Sequence, residues 1–288
     1  MRSCVIVTCH DDGTLIEEAV RSVRESESIE LVVIDDASED SATRSALLRL
    51  EDEGVAVVRQ EVNAGVAATR MRGLAVTSAP FVYPLDADDL AVPGILARMA
   101  DALESNPGAA ACVGDVIEFG DHELLRRTPQ RLDPYRVAFT NEYPITALFR
   151  RTAIEAAGGW CRLGAHHGYD DWNLWMGLAE RGEHIVHLNA PAYCRRLHGL
   201  RLNHQAKAHH RYLYENLRGK HPTLFSQISD HRRRSDLPLI KKYLYPHVYG
   251  SRPAVPLEGT IKPGLDRLGL WTRARPLPRS ARETALDR

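Results

Sequence analysis

At 288 residues the chain is long enough for one large domain or two modest ones, with an ample core. Hydrophobic residues make up 44% and charged residues 26%, which is ordinary for a globular protein, and no window approaches the roughly 18 uninterrupted apolar residues of a membrane span. The formal net charge of −1 hides an asymmetry, because Arg195 to Arg288 carries 20 Lys and Arg against 7 Asp and Glu, which leaves the remainder acidic.

A basic C-terminal third implies a partner of opposite sign. The acidic body of the same chain is the simplest one; an anionic membrane surface, touched peripherally, and a polyanionic acceptor also fit. No nucleic-acid recognition motif accompanies the charge, so nucleic acid is not expected. The cysteines (Cys4, Cys9, Cys112, Cys161 and Cys194) are scattered with no C-x-x-C pair, which supports neither a disulfide framework nor a zinc knuckle. Met1 to Val5 lacks a signal-peptide layout, and the expectation is a reduced, cytoplasmic protein.

In chain order, Cys4 to Thr8 is an apolar run of strand length, the mark of a strand buried on both faces. Leu15, Ile16, Ala19, Val20 and Val23 then recur at helical spacing. Leu31 to Ile34 is a second strand with an acidic tip at Asp35 and Asp36. Ser38 or Asp40 is placed to cap the helix carrying Leu47 and Leu50. Val55 to Val58 reads as a third strand, and Asn63-Ala64-Gly65 turns into a helix with Ala67, Ala68, Met71 and Leu74. Phe81 to Leu85 is a fourth strand, followed by a helix with Ile95, Leu96, Met99 and Leu103, and Ala109 to Val116 a fifth. Successive βα units predict a parallel, doubly wound sheet with right-handed crossovers.

Periodicity weakens from Ile117 to Tyr143, which predicts a long irregular loop. Ile145 to Phe149 and Thr152 to Ala157 read as a strand and a short helix stopped by Gly158-Gly159. Asp170-Asp171 open a helix that ends at Gly182, and His184 to Leu188 is a strand. Beyond Arg195 the pattern predicts helices, near Asn203 to Leu217 and Leu237 to Leu244, and no second sheet. From Ser251 the Pro- and Arg-rich tail is poorly patterned and reads as partly disordered.

Chemistry concentrates at the end of the fourth strand, Leu85-Asp86-Ala87-Asp88-Asp89. A strand running out into a loop delivers its last side chains to the carboxyl edge of the sheet, where open α/β folds bind ligands. Asp86 and Asp88 are hard oxygen donors suited to Mg2+ or Mn2+ against a ligand's phosphates. The plainer reading is an acidic turn in which Asp88 or Asp89 caps the next helix. Thr8 and Asp36 fall at the same edge, so polar groups converge where a nucleotide would sit.

The ordered set of motifs resembles glycosyltransferase family 2, the inverting, nucleotide-sugar-dependent group with the GT-A fold. Val5-Ile6-Val7-Thr8 is similar to its first strand and Val33 to Ser38 to its V-D-D-x-S motif. Asn63-Ala64-Gly65 with Ala68-Thr69-Arg70 resembles N-x-G…A-R-N, and Leu85 to Asp89 with Pro93 resembles L-D-x-D-D…P. Gly158-Gly159-Trp160 and Tyr169 to Trp175 resemble G-G-F/W…E-D-x-D-L-W. The marks span about residues 3 to 200.

The resemblance implies an α/β, GT-A domain over 1–200, with a nucleotide-sugar-binding half (1–116) and an acceptor and catalytic half (117–200), then a helical, basic extension (201–288). It implies transfer of a sugar from a nucleotide diphosphate, UDP by family frequency with GDP and dTDP open, to a hydroxyl of a saccharide, lipid-linked sugar or natural product. Asp88 is the expected metal contact, with Asp86 beside it on ribose or a metal-bound water. Asp36 is expected to bind the base, Thr8 to border its pocket, Asn63 to lie beside it and Arg70 to pair with the diphosphate. Asp171 matches the catalytic base, with Asp170 supporting it; helix capping is compatible with that role. His198, in a segment resembling Y-R-x-H, is expected to reach the metal or a phosphate. Trp160, His166 and His167 are candidates for acceptor contact.

Three departures stand out. Thr8-Cys9-His10 replaces T-Y-N and removes the expected aromatic, Met71 replaces the Asn of A-R-N, and Asp170 replaces Glu. A dehydrogenase is excluded by the absence of G-x-G-x-x-G after the first strand, and a sugar nucleotidyltransferase by the absence of a G-x-G-x-R segment. The remaining alternative is a non-catalytic nucleotide-sugar-binding protein or a partner subunit of a transferase complex.

Overall fold

A computed structural model describes residues 1–24, 28–198, 206, 208–247 and 274–286. The parallel heart of the sheet is β1 (Ser3–Cys9), β2 (Glu30–Asp35), β3 (Ala56–Arg59) and β4 (Phe81–Asp86), with β1 between β2 and β4. The crossover helices are α1 (Leu15–Arg24), α2 (Ser41–Asp52) and α3 (Val66–Val76). Side chains alternate across β1. Cys4 and Ile6 enter one apolar layer and Val5, Val7 and Cys9 the other, so helices cover both faces and the strand carries no polar side. Each fully buried Val or Ile there contributes about 1.5–3 kcal/mol. Gly73 lets α3 press onto β1, since a Cβ at that position would lie 2.2 Å from Ile6 Cγ2.

After β4 come β5 (Leu90–Ala91), α4 (Ile95–Glu104) and β6 (Ala109–Gly120). The segment expected to be an irregular loop is more ordered than that. β6 runs on to Gly120, β7 (Leu124–Arg126) turns back on it, and α5 (Pro134–Phe139) follows. Asp133 caps α5 by accepting from Tyr135 N and Arg136 N, and Pro134 begins the helix, so six residues suffice without any periodicity. β8 (Leu148–Arg150) inserts antiparallel between β4 and β6, and α6 (Arg151–Ala156) ends at Gly158 and Gly159, both at positive φ.

α7 (Asp170–Glu180) leads to β9 (His184–Leu197), which is parallel to β6, irregular near Asp115, and antiparallel to β5. In the basic region lie α8 (His210–Lys220), α9 (Pro222–Ser226), α10 (Ile228–Arg234), α11 (Leu239–Tyr245), β10 (Ala274–Pro276) and α12 (Arg279–Ala285). β10 pairs antiparallel with β7, so the region expected to be only helical also adds a strand to the sheet edge. Most of the tail read as disordered, 251–273, lies outside the described residues. Leu213, Tyr214, Leu217, Leu224, Leu237 and Tyr245 join the same apolar layer as Trp172 and Tyr135. α8, α9 and α11 therefore share a core with α5 and α7. No described helix is long and apolar enough to cross a membrane.

Candidate active site

The register of β1 with its neighbours sets Thr8 beside Asp86 and Cys9 beside Asp35 at one sheet edge. Thr8 Oγ1 donates to Asp86 Oδ1 at 3.1 Å. The same oxygen accepts from Arg70 Nη2 at 2.6 Å, and Arg70 Nη1 reaches Asp170 Oδ2 at 2.6 Å. Arg70 is buried, so it is neither a surface helix cation nor free to swing toward a ligand. One guanidinium thus ties the acidic end of β4 to the start of α7, from residues 16 and 100 positions away in sequence. Burial alone would lower the Arg70 pKa, but the charges of Asp86 and Asp170 outweigh it and hold the cation firmly protonated.

Asp88 turns the other way. Its Oδ2 lies 3.0 Å from His198 Nε2. β9 delivers that histidine, because its antiparallel pairing with β5 returns the chain to the acidic stretch. Asp89 is buried and accepts from Arg196 N at 2.8 Å, which fixes the end of β9 in place. Burial, then the charge of Asp86, raises the Asp88 carboxyl, and burial beside Asp88 raises Asp89 far more. Neither residue caps α4, which begins after Gly94. A third carboxyl that sequence reading passed over, Asp12, is pushed up to about 6 by burial, with the charges of Asp88 and Asp86 adding to it.

Across the edge, Asp36 is buried and engaged. It accepts from Gln60 Nε2 at 2.6 Å and from the backbone of Ala64 and Gly65 at 2.8 Å each. It therefore shapes the Asn63-Ala64-Gly65 turn, and Asn63 Nδ2 lies 2.9 Å from His10 Nε2. Ala37, next to Asp36, holds φ 60°, and Tyr169, next to Asp170, φ 63°. Left-handed backbone costs a non-glycine residue about 1–2 kcal/mol, and such strain persists where the surroundings fix it. Here it flanks two of the three carboxylate motifs, Asp35-Asp36 and Asp170-Asp171.

Tyr169 is the N-cap of α7, so Asp170 and Asp171 occupy its first turn. The Tyr169 hydroxyl lies 2.6 Å from His210 Nδ1, and its ring packs edge-on against Trp172. Asp171 Oδ1 accepts from Trp172 N and Oδ2 from Asn141 Nδ2, each at 2.7 Å. Burial first, then the charge of Asp170, pushes the Asp171 carboxyl up to about 7. A carboxylate with that pKa can take a proton from a hydroxyl near neutrality.

The acceptor candidates separate. Trp160 is buried and packs edge-on against Phe149, so its indole belongs to the core and offers no acceptor surface. His167 sits against Gly65, where a Cβ would lie 2.5 Å from its ring, and with Arg162, Gly168 and Asp170 it lines a small cleft. His166 stacks on His209 at 3.5 Å and contacts Tyr212 edge-on. Asn141 and Gln60 were missed as site residues. Asn141 lies in the segment taken for a loop, and only the Asp133-Pro134 helix start could have pointed to its order.

Among the described residues no group of three or more His, Cys, Asp or Glu is arranged to hold a metal. Asp88 and His198 nevertheless converge as an oxygen and a nitrogen donor, with Asp86 two residues away. Two protein ligands, completed by phosphate oxygens and water, are a normal complement for Mg2+ or Mn2+, so the residues fit such an ion.

Comparison with known proteins bears on the family and the fold. The family described as "Glycosyl transferase family 2" matches residues 4–162. The succinoglycan biosynthesis protein ExoU of Rhizobium meliloti (strain 1021) is 38% identical over 100 residues, covering 33% of this chain and 29% of that protein. The uncharacterized glycosyltransferase YibD of Escherichia coli (strain K12) is 25% identical over 155 residues, covering 54% of this chain and 40% of its own length. The chain thus matches well under half the length of either relative. Among solved structures, residues 1–349 of S. aureus TarS in complex with UDP-GlcNAc align with TM-score 0.60 at 18% identity, over 84% of this chain and 69% of that one. The mannosyltransferase PcManGT from Pyrobaculum calidifontis, in complex with GDP-Man and Mn2+, aligns with TM-score 0.56 at 17% identity, over 93% and 86%. These structures share the GT-A fold. With the family match covering more than half of the chain, and on that fold, this chain belongs to glycosyltransferase family 2.

Proposed function

We propose that the chain is an inverting glycosyltransferase that moves a sugar from a nucleoside diphosphate to an acceptor hydroxyl in one displacement. The observation that carries this reading is the Arg70 bridge, which joins the donor-side Asp86 to Asp170 beside the raised carboxyl of Asp171. Asp171 accepts the hydroxyl proton as the acceptor oxygen bonds to the anomeric carbon and the diphosphate leaves from the opposite face. Asp36, through the turn it holds, and Thr8 shape the nucleotide pocket, with His10 and Asn63 at its mouth. Arg70 acts by fixing Asp86 and Asp170. A divalent cation held by Asp88 and His198 would neutralise the charge that develops on the departing diphosphate.

UDP is the first nucleotide to test, since TarS was solved with UDP-GlcNAc; GDP follows, since PcManGT was solved with GDP-Man. A saccharide acceptor, free or lipid-linked, is favoured by the likeness to a succinoglycan biosynthesis protein. Peripheral contact with an anionic membrane is supported by exposed Arg233 and Arg234 beside exposed Leu239, Ile240 and Tyr243. Retention on phosphatidylglycerol vesicles at low salt is the expected outcome, and its absence contradicts the contact.

Calorimetric titration of UDP with and without Mn2+ tests the donor site. Metal-dependent binding, weakened at least tenfold by Asp88→Ala, is expected. Failure of UDP, GDP and dTDP alike to bind would overturn the reading.

A further inference from the structure

We propose that Asn141 is a positioning residue for the base Asp171, held in place by the C-terminal helices; this rests on the function proposed above. Three observations converge on it.

The first is the contact itself. Asn141 Nδ2 donates to Asp171 Oδ2 at 2.7 Å. The amide orientation is not arbitrary, because Asn141 Oδ1 accepts from Tyr143 N at 3.3 Å, and a carboxylate can only accept. Trp172 N occupies one lone-pair direction on Oδ1. With one donor on each oxygen, the carboxylate is locked in rotation and each oxygen keeps a second lone pair for a proton.

The second is the frame around Asn141. α5 and the segment that follows it are clamped to α7 by the two tryptophans of that helix. Trp172 Nε1 donates to Val137 O at 2.6 Å and Trp175 Nε1 to Pro144 O at 3.1 Å. Tyr143 packs against Trp175, and its hydroxyl accepts from Asp133 N and donates to Arg131 O. A side chain on so constrained a loop has a fixed reach.

The third is what lies behind that frame. Tyr214 of α8 donates to Ala138 O at 2.8 Å, Tyr245 of α11 to Glu142 Oε1 at 2.9 Å, and Ser235 to Asp133 Oδ2 at 2.5 Å. Tyr135 in turn donates to Lys242 O. The basic extension thus grips the residues on both sides of Asn141, so part of the catalytic geometry is built by a region outside the family match at residues 4–162.

The charged groups facing Asp171 are Asp170 on its own helix, Arg70 on α3 and Asp86 on β4. Asn141 is uncharged and donates, which favours the ionised carboxylate against its burial. Its removal therefore raises the Asp171 pKa and lowers the fraction of base ready at neutral pH.

The test is carboxyl 13C NMR titration of the full chain, with the Asp171 resonance assigned by its loss in Asp171→Asn. Asn141→Ala is expected to move the Asp171 midpoint upward by about one pH unit. The isosteric Asn141→Asp, which cannot donate when ionised and adds a like charge, is expected to move it further. In UDP release from UDP-GlcNAc, or GDP release from GDP-Man if that is the donor consumed, both variants should lower kcat about fivefold or more near pH 7, with the loss shrinking as pH rises and donor KM unchanged. An unshifted midpoint in a folded variant, or a pH-independent loss shared by KM, overturns the proposal. Failure of the function reading is distinct, because then wild type releases no nucleotide from any donor, or Asp171→Asn turns over as wild type does, whatever the Asn141 variants do to the midpoint.

Discussion

Arg70 is the residue on which most of the site depends. A buried guanidinium between two carboxylates contributes little net stability when intact, but removing it strands both partners. Arg70→Ala is expected to cost about 3 kcal/mol, with the loss read as a lowered urea midpoint. The conservative Arg70→Lys cannot span Asp86 and Asp170 with a planar fork and should recover only part of it. Asp171 makes a second residue-scale prediction. Its carboxyl is raised to about 7, mainly by burial, and a base works only when ionised, so kcat should climb with pH and pass half-maximum near 7. A limb centred near 4 instead would mean an ordinary, solvated carboxylate.

At this scale sequence and structure part company in instructive ways. The acidic tips were legible because apolar runs end abruptly in Asp36 and in Asp86 and Asp88. The charge on Arg70 was legible as well, but its partners lie on β4 and α7, and no local pattern shows that both arms of the fork are taken. Trp160, expected from the family resemblance to contact the acceptor, instead turns inward onto Phe149, a packing that no local pattern reveals.

Among the elements, the Asn63-Ala64-Gly65 turn carries the strictest backbone demand. Gly65 holds φ 86°, its N–H donates to Asp36 Oδ2, and the His167 ring fills the space a Cβ would need. Gly65→Ala should therefore weaken UDP binding several-fold and lower the melting temperature by a few degrees, measured by calorimetry. Substitution at Gly13, also at positive φ but with open space around it, should leave UDP binding unchanged. The βα units were readable because long, evenly apolar strands and capped helices state themselves. α5 and β10, at six and three residues, are too short to carry a period; a local cap at Asp133-Pro134 starts α5, and pairing with β7 defines β10.

For the whole molecule, the C-terminal region is part of the fold. Leu213, Tyr214 and Leu217 are buried against the layer that contains Trp172. Leu213→Ala should cost about 2–5 kcal/mol, as for other buried leucines. Removing residues 206–288 should expose that layer and produce an aggregating protein, scored by light scattering, rather than a minimal active domain. Composition announced the basic charge of this region but not its packing, because the charges line solvent while the few leucines and tyrosines do the joining.

The central claim is that one site binds a nucleotide sugar and that Asp171 performs the proton transfer. It is tested most directly by comparing wild type with Asp171→Asn in two assays on the same preparation, nucleotide affinity by calorimetry and nucleotide release from UDP- and GDP-sugars. The account predicts unchanged nucleotide affinity with turnover lowered by about a thousandfold or more, since the variant keeps the shape of the side chain and loses its basicity, together with one acceptor oxygen remote from the nucleotide. Equal turnover by the two proteins would contradict it, and binding without turnover in wild type on every donor and acceptor tried would favour a nucleotide-sugar-binding protein instead.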